Sequence, residues 1–355
     1  MGKNKGEKKK IAVVDLFCGA GGLTHGLKSE GFDVRAGLDL DPQCRYAYEA
    51  NNGAKYLEKD VARMAGSELE AFFQDADYTL LAGCAPCQPF SKYTQGKGGG
   101  SDEKWKLLNE FGRLIEETAP DFVTMENVPQ LARHPILEEF VKTLGNLGYQ
   151  VFKTVIRCAD YGIPQSRERL VLLASRYRDV PLELVNSNLY QKKTVREAIA
   201  HLPPIGAGGI DPDDSLHRSS SLSALNQQRI RVSTPGGSWK DWPAPLRAAC
   251  HNEESGKTYV SVYGRMTWDA PAPTMTTQCF GFGNGRFGHP EQNRAISLRE
   301  AAILQTFPDT YKFEPHGVDL GMKAIGRMIG NAVPVKLGVI VARSLKNHIA
   351  QIGRK

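Results

Sequence analysis

The chain contains 355 residues, of which 41% are hydrophobic and 24% are charged, values that are usual for a folded globular protein. This composition excludes a disordered or fibrous chain, and we find no run of roughly 18 apolar residues, so we expect no membrane span and a cytoplasmic location. The net charge of +6 is small, and five lysines among the first ten residues supply most of it. The seven cysteines are an odd number, which argues against a disulfide framework and predicts at least one reactive thiol.

The first half of the chain alternates β-rich and amphipathic segments. Helices are predicted at 22–29, near 102–118 and near 135–147. A further helix is predicted to begin with Asp41 as its N-cap and Pro42 at its first helical position. This alternation predicts an α/β fold, a mostly parallel sheet with helices on both faces and with ligands at the carboxyl ends of the strands. The predicted strands are 11–17, 33–38, 78–82, 122–125, 150–156 and 170–174.

The character of the sequence changes near residue 202. Proline, glycine and serine interrupt every regular pattern up to residue 290, and aromatic residues alternate with basic ones. From Arg218 to Arg299 there are ten Lys or Arg residues against five acidic ones, a balance that would attract a polyanion but also suits a solvated surface. We predict a second, irregular domain of short strands and loops over 202–290.

Helical periodicity returns in the C-terminal part of the chain. Ser297 and Glu300 have the spacing of a capping box at the start of a helix over 297–305, and a long amphipathic helix is predicted near 335–349. We therefore expect the first domain to be interrupted and then completed by the C-terminus.

The first predicted strand enters a glycine turn in the segment Asp-Leu-Phe-Cys-Gly-Ala-Gly-Gly-Leu. Gly19, Gly21 and Gly22 carry no Cβ, so the backbone can approach a ligand closely. The spacing is shorter than the dinucleotide pattern and favours a nucleoside cofactor without a pyrophosphate. Asp39 could accept hydrogen bonds from ribose hydroxyls and Asp60 from an adenine amino group, although either acid alone could be a surface or capping residue.

Two cysteines follow the strand over 78–82 in the segment Gly-Cys-Ala-Pro-Cys-Gln-Pro-Phe-Ser. Cys84 and Cys87 have the spacing of a redox dithiol, or of half a zinc site whose second pair of ligands is missing from the sequence. In the third interpretation Cys87 is a single nucleophile whose approach is fixed by the preceding proline. The glycine-rich stretch 91–101 is expected to act as a mobile lid over a substrate.

Three further segments carry candidate site residues. Glu126 follows the strand over 122–125 and would be a buried carboxyl that both donates and accepts hydrogen bonds. The alternative is a cluster that caps a helix, but Asn127 could fill that role alone. Gln165, Arg167 and Arg169 alternate along a predicted strand and would project together, so that the two guanidinium groups could bind a base carbonyl and a phosphate. The segment 329–334 is predicted to open the final helix and to close the cofactor pocket with its backbone.

Taken in order, these motifs resemble the DNA cytosine-5 methyltransferases, chiefly the bacterial restriction-modification enzymes. The resemblance extends from about residue 11 to 345 and depends on six segments in the order of the family: 15–22, 83–91, 126–128, 165–169, 299–308 and 330–334. It implies a Rossmann-like methyltransferase fold, with a catalytic and cofactor-binding domain over 11–194, a smaller irregular target-recognition domain over 195–290, and a C-terminal segment over 291–350 that completes the catalytic domain.

The resemblance implies S-adenosyl-L-methionine as the methyl donor and requires no metal. Asp39, with Leu40 beside it, would bind the ribose, and Asp60, with Val61, would bind the adenine. Asn331 and Val333 would line the other side of the pocket. The adenosine and methionine parts would be held by Phe17, Gly19, Ala20, Gly21, Gly22 and Leu23.

The resemblance also implies a role for each catalytic residue. Cys87 would attack carbon 6 of cytosine, Glu126 would contact ring nitrogen 3 and the amino group, and Arg169 would bind the base carbonyl. Arg167 would support the active-site loop or its backbone. Attack at carbon 6 makes carbon 5 nucleophilic, and both carbons can be reached only if the base is flipped out of the duplex.

Two positions depart from the family pattern. Ala85 stands where the family usually has proline, which loosens the turn slightly. Asp39 stands where glutamate is common and is one methylene shorter, so its contact with ribose would shift or use a water molecule. Neither change removes a reacting group.

The expected partner is double-stranded DNA, bound by a monomer, with a cognate restriction endonuclease that would act independently. A tRNA cytosine-5 methyltransferase of the same fold is the nearest alternative, but its recognition segment would be shorter than 195–290. A catalytically silent DNA-binding relative is a second alternative, against which the intact catalytic residues argue.

Overall fold

The structure, a computed structural model, describes residues 9–86 and 106–352 of the chain. These residues form two compact units. Unit 1 takes in the chain up to Arg157, Glu168–Ser187 and the C-terminal segment from Val333, and unit 2 takes in Cys158–Arg167 and Asn188–Ala332. The domain bounds 11–194, 195–290 and 291–350 remain predictions.

Unit 1 contains a seven-stranded sheet with the strand order β3-β2-β1-β4-β5-β7-β6. All neighbours are parallel except β7, which runs antiparallel to both β5 and β6. The predicted mostly parallel α/β fold is therefore confirmed. The strands are β1 (Ile11–Leu16), β2 (Asp33–Asp39), β3 (Lys55–Glu58), β4 (Tyr78–Gly83), β5 (Phe122–Asn127), β6 (Gln150–Arg157) and β7 (Glu168–Ser175).

The six predicted strands are all present, with bounds that differ from the prediction by at most two residues. Hydrophobic runs predict these strands well because most of them are buried: all six residues of β1 and of β5 are buried. The short edge strand β3 was missed, since Tyr56 is its only buried residue and its other side chains carry no hydrophobic pattern.

The predicted helices are present in the predicted order, and further short helices lie between them. They are α1 (Gly22–Ser29), α2 (Cys44–Asn52), α3 (Gly66–Glu70), α4 (Lys106–Thr118), α5 (Pro135–Asn146), α6 (Val195–Ile199), α7 (Ala224–Val232), α8 (Glu254–Lys257), α9 (Leu298–Leu304), α10 (Gly321–Asn331) and α11 (Val335–Ile352).

The predicted start of the second helix at Asp41 and Pro42 is wrong. Helix α2 begins two residues later, at Cys44. Asp41 instead holds the turn before the helix, because its Oδ1 accepts a hydrogen bond from the amide of Gln43 at 3.2 Å and its carbonyl accepts one from the amide of Cys44 at 3.0 Å.

The segment 329–334 does not open the final helix as predicted. Asn331 is the last residue of α10, and α11 begins at Val335. Pro334 has no amide hydrogen and disfavours helical backbone at Val333, so the chain breaks between the two helices.

Helices α1 and α11 pack closely against each other in unit 1. A Cβ added to Gly26 would lie 2.3 Å from the carbonyl oxygen of Val335 and 2.7 Å from the Cα of Gly338. The two backbones approach so closely only because both contact positions are glycine. The C-terminal helix α11 thus belongs to unit 1.

Unit 2 has little regular structure. Isolated bridges, such as those of Gln165 with Ala272 and of Arg265 with Gly288, stand where short strands were predicted. Several aromatic residues of the irregular region are buried, so they stabilise the unit itself. A small hydrophobic core is formed by Ile230, Trp239, Trp242, Phe282 and Ala295.

The predicted capping box at the start of α9 is confirmed. The hydroxyl of Ser297 accepts a hydrogen bond from the amide of Glu300 at 3.0 Å, and the Glu300 carboxylate accepts one from the amide of Ser297 at 2.6 Å. The same carboxylate receives two hydrogen bonds from Arg294, both at 2.7 Å, and neither side chain is exposed by more than 1%.

Among the described residues, the stretch Gly321–Ile352 has the length and composition of a membrane span. However, 72% of its most apolar window is buried inside the protein, and the chain is broken near Pro334. This is the pattern of core helices, and it supplies no support for a membrane segment.

Candidate active site

The carboxyl ends of β1, β4 and β5 lie side by side in unit 1. Leu16 pairs with Gly83, and Gly83 pairs with Met125 on the next strand. In the strand order, β2 and β3 lie on one side of β1, and β4 lies next to β1 on the other side, so the order reverses at β1. Ligands bind beyond the carboxyl ends at such a reversal, so this edge is the candidate active site.

The glycine turn after β1 adopts unusual backbone conformations. Phe17, Gly19 and Gly21 have φ angles of +58°, +50° and +88°. The left-handed conformation of a phenylalanine costs about 1–3 kcal/mol and persists only where the surroundings hold it. The amide of Cys18 donates to the carbonyl of Leu38 at 3.0 Å and helps to hold the turn.

The space beside Gly19 is open. A Cβ at this position would meet no described atom within 4 Å, so the glycine is needed for its conformation and leaves room for a ligand. Ala20, Gly22 and Leu23 are buried where the turn enters α1. Gly21 is the N-cap of this helix and has no side chain that could cap it.

Asp39 connects the turns that follow β1 and β2. Its Oδ2 accepts a hydrogen bond from the amide of Gly19 at 2.9 Å, and its Oδ1 accepts one from the amide of Asp41 at 3.0 Å. The side chain is partly exposed. Because each carboxylate oxygen can accept more than one hydrogen bond, Asp39 can hold the glycine turn and still receive ligand hydroxyls.

Asp15 lies beneath the glycine turn, and the sequence suggested no role for it. Its side chain is buried and accepts a hydrogen bond from the Thr24 hydroxyl at 2.6 Å. Burial, with a further contribution from the nearby charge of Asp39, raises the pKa of Asp15 from 3.8 to about 7, and the Thr24 hydrogen bond offsets only part of this. The signal in the sequence is an acidic residue within the apolar strand β1, because burial of a carboxyl raises its pKa.

The remaining predicted cofactor residues have different environments. Leu40 is 63% exposed, and Asp60 caps a short helical turn by accepting a hydrogen bond from the amide of Ala62 at 2.9 Å. Val61 is buried. Val333 is buried in unit 1, whereas Asn331 is an exposed residue of unit 2.

Cys87, the predicted nucleophile, and the stretch 91–101, the predicted lid, lie outside the described residues. The turn that leads to Cys87 is described as far as Pro86. The amide of Cys84 donates to the carbonyl of Leu16 at 3.3 Å, and the side-chain amide of Asn127 donates to the carbonyl of Ala85 at 3.1 Å. Asn127 therefore holds this turn and is not the side-chain helix cap that the sequence suggested.

Glu126 is buried at the end of β5 beside Arg169. The Nε of Arg169 lies 2.5 Å from Oε1 of Glu126, and the two side chains are 12% and 6% exposed. On the other oxygen, the thiol of Cys84 donates to Oε2 at 2.9 Å. Within the described part of the chain, Oε1 accepts no hydrogen bond of good geometry, so this buried oxygen can still receive a donor from a ligand.

Gln165, Arg167 and Arg169 do not share one strand face as predicted. Strand β7 begins only at Glu168, so Gln165 and Arg167 precede it and belong to unit 2. Arg167 is buried and donates to the carbonyl of Met275 at 2.9 Å. This contact with a backbone carbonyl differs from the carboxylate contact of Arg169, and the support of the active-site loop by Arg167 remains a prediction.

Two other thiols, those of Cys18 and Cys279, are poorly suited to nucleophilic attack. Burial, followed by the charges of Asp15 and Asp39, raises the pKa of the Cys18 thiol well above its ordinary value. Burial also raises the pKa of Cys279 to about 12. Both groups stay neutral near pH 7, and a neutral thiol is a weak nucleophile.

Comparison with known proteins agrees with this architecture. Residues 11–347 match the family of C-5 cytosine-specific DNA methylases. The chain is 52% identical over 341 residues to the type II methylase M.HgiDII of Herpetosiphon aurantiacus, a match that covers 95% of this chain and 96% of the relative. It is 32% identical to the type II methyltransferase M1.BsuMI of Bacillus subtilis, with coverage of 94% and 80%.

Solved structures share the fold at low sequence identity. The Dnmt2 methyltransferase of S. pombe superposes with a TM-score of 0.66 at 18% identity and covers 96% of this chain and 99% of its own. At this identity the likeness shows only the fold.

The fold is the Rossmann-like methyltransferase fold. The chain belongs to the C-5 cytosine-specific DNA methylase family, and its relatives are type II restriction-modification methyltransferases. It is a DNA cytosine-5 methyltransferase of this kind, as the resemblance of its motifs implied.

Proposed function

We propose that the protein methylates carbon 5 of a cytosine flipped out of a specific double-stranded DNA sequence, through a covalent adduct with Cys87. The observation that carries this proposal is the buried carboxyl of Glu126 at the carboxyl edge of β5. Its Oε1 lies 2.5 Å from Arg169 Nε and accepts no well-aligned hydrogen bond within the described residues. A cytosine amino group is a donor that would satisfy this oxygen.

The turn after β1 suits S-adenosyl-L-methionine, which supplies an electrophilic methyl group when it is bound. The open space beside Gly19 and the absence of a pyrophosphate-type glycine spacing fit a nucleoside ligand. Asp39, with Leu40, would receive the ribose hydroxyls, and Asp60, with Val61, the adenine amino group. Asn331 and Val333 would contribute from the C-terminal segment. The adenosine and methionine parts would lie along Phe17, Gly19, Ala20, Gly21, Gly22 and Leu23.

In the proposed reaction the residues of the chain prepare the base for alkylation. The Cys87 thiolate attacks carbon 6, which breaks the 5,6 double bond and makes carbon 5 nucleophilic. Glu126 contacts nitrogen 3 and the amino group and stabilises the electron-rich ring, while Arg169 binds the carbonyl. After methylation, removal of the carbon 5 proton expels the cysteine and restores the aromatic ring.

Recognition of the DNA sequence is proposed for residues 195–290. Ten Lys or Arg residues against five acids between Arg218 and Arg299 would attract the phosphate backbone. Arg167 would act indirectly, by supporting the backbone near Met275. We propose that the protein acts as a cytoplasmic monomer on chromosomal DNA, independently of any restriction endonuclease that shares its target.

Methyl transfer from tritiated S-adenosyl-L-methionine to nucleic acid tests the substrate. We expect label in duplex DNA and none in tRNA, whereas label in tRNA alone would establish the alternative methyltransferase. Bisulfite sequencing of DNA from a host that expresses the protein would then identify the modified cytosine. Complete absence of 5-methylcytosine would support the catalytically silent alternative.

Trapping on DNA with 5-fluorocytosine at the target position tests the covalent route. Fluorine cannot leave carbon 5 as a cation, so an adduct with Cys87 should persist in denaturing gels. Cys87→Ser should form no adduct and have no turnover, whereas Cys84→Ser should keep most of both. Equal loss in the two variants would instead favour the thiol oxidoreductase interpretation of the C-x-x-C motif.

A further inference from the structure

Cys84 belongs to the turn after β4 but has no role in the proposed chemistry. Its Sγ lies 2.9 Å from Oε2 of Glu126. A thiol can donate this one hydrogen bond, and a buried carboxylate oxygen is a strong acceptor for it. The contact therefore links the turn that leads to Cys87 to the carboxyl that would hold the base.

The two oxygens of Glu126 have different neighbours. Arg169 approaches Oε1, and Cys84 donates to Oε2. The last torsion of a glutamate is broad, so a contact to one oxygen leaves the carboxyl plane free to turn. Because Arg169 contacts one oxygen and Cys84 contacts the other, the plane of the Glu126 carboxyl is fixed.

Backbone contacts hold the thiol in place. The amide of Cys84 donates a hydrogen bond to the carbonyl of Leu16 at the end of β1, and the side-chain amide of Asn127 donates one to the carbonyl of Ala85. The donor is thus anchored to β1 and β5, the two strands that flank β4. A short side chain on a backbone held at both sides can orient a neighbour with little loss of entropy.

We infer that Cys84 is a positioning residue for the methylation reaction: its thiol orients the Glu126 carboxyl so that Oε1 faces the cytosine. This inference rests on the proposed role of Glu126 with the base. It predicts that the step in which the base is activated depends on a hydrogen-bond donor at position 84, while cofactor binding and folding do not.

Two substitutions at this position form a matched pair. Cys84→Ala removes the donor and should lower kcat about tenfold, the effect of a lost hydrogen bond to a charged group. Cys84→Ser keeps a donor of similar size and should remain within about threefold of the unchanged protein. The KM for S-adenosyl-L-methionine and the melting temperature should be the same in all three proteins.

The result would overturn the inference if Cys84→Ala kept the original kcat, if Cys84→Ser were as slow as Cys84→Ala, or if the loss lay only in KM for the methyl donor. A lowered melting temperature confined to Cys84→Ala would likewise assign the thiol a merely structural role. Each of these outcomes leaves the proposed methylation intact, provided that the unchanged protein forms 5-methylcytosine in the same assay.

A second measurement tests whether the thiol acts through Glu126. In a Glu126→Asp background the shortened carboxyl no longer reaches the thiol, so adding Cys84→Ala should lower the single-turnover rate by less than about twofold. A further tenfold loss in that background would show that Cys84 acts on another group. If the unchanged protein formed no 5-methylcytosine, both the proposed function and this inference would fall.

Discussion

Arg169 and Glu126 are 43 positions apart in the sequence, yet the Arg169 Nε lies 2.5 Å from the Glu126 carboxylate. The antiparallel direction of β7 causes this proximity, because it brings the amino end of β7 beside the carboxyl end of β5. In the register of the two strands, Glu126 pairs with Val171 and Asn127 with Leu170. A basic residue at the start of β7 therefore contacts an acidic residue at the end of β5.

Arg169→Ala is expected to impair both activity and folding. Removal of one partner of a buried ion pair leaves the other charge uncompensated, which should lower the free energy of unfolding by about 3 kcal/mol. We also expect kcat to fall by at least about 10²-fold, since the carboxyl proposed to hold the base loses its neighbour. Urea denaturation and single-turnover methylation measure the two effects.

Arg157→Ala is the matched control for this prediction. Arg157 pairs with Glu168 across β6 and β7, but the two side chains are 75% and 51% exposed. Exposed ion pairs contribute little, so the denaturation midpoint should not change. A similar loss of stability in both variants would contradict the importance of burial.

Asp15→Asn should change how stability depends on pH. Because burial raises the pKa of Asp15 from 3.8 to about 7, the folded protein keeps this proton between those values while the unfolded chain loses it. Stability from this group is therefore complete below about pH 4, falls as the pH rises, and is lost above about pH 7. The difference corresponds to about 4 kcal/mol at most.

The variant lacks this titration, so its free energy of unfolding relative to the unchanged protein should increase between pH 4 and pH 8. Urea denaturation at several pH values measures the difference and cancels the effect of the other carboxyl groups. A constant difference over this range would show that Asp15 is ionised in the folded protein throughout.

Gly26→Ala should loosen the contact between α1 and α11. The added Cβ would lie 2.3 Å from the Val335 carbonyl oxygen, and neither backbone can move without displacing its helix. Overpacking of this kind costs about 1–3 kcal/mol. Thermal denaturation should therefore show a lower melting temperature.

Gly145→Ala provides the control for a change from glycine to alanine within a helix. Gly145 lies in α5, and a Cβ there would meet no described atom within 4 Å. This variant should be as stable as the unchanged protein or more stable by about 0.5–1 kcal/mol, because alanine favours helix. Equal destabilisation by both substitutions would contradict the close packing at Gly26.

Arg294→Ala should destabilise unit 2. Arg294 is completely buried and makes two hydrogen bonds with Glu300, so its loss should lower the free energy of unfolding by about 3–5 kcal/mol. Arg196→Ala removes an exposed partner of Asp269 from the same unit and should leave the denaturation midpoint unchanged. Guanidinium denaturation compares the two, and equal midpoints would contradict the prediction.

Much of the fold could be predicted because burial leaves a local trace in the sequence. The continuous apolar runs of β1 and β5 and the capping residues Ser297 and Glu300 predicted these elements correctly. The misassigned helix start at Asp41 had a local cause as well. A turn and a helix N-terminus use the same residue types, and only the hydrogen bonds distinguish them.

The contacts within the candidate site were harder to predict. The C-x-x-C spacing indicates Cys84 only as a possible partner of Cys87 in redox or zinc chemistry, whereas its thiol contacts Glu126. The predicted alternation along one strand also places Arg167 beside Arg169, although their side chains have different partners. A hydrogen bond between distant residues has no periodic signal, so side-chain contacts of this kind cannot be read from spacing.

The order of the motifs, the α/β class and the family can all be recognised in the sequence, because glycine turns, capping residues and apolar runs are local features. The direction of β7, and with it the proximity of Arg169, Glu126 and Cys84, becomes visible only in the folded chain. Strand direction depends on pairing between distant segments, and the apolar pattern of a strand is the same whichever way it runs.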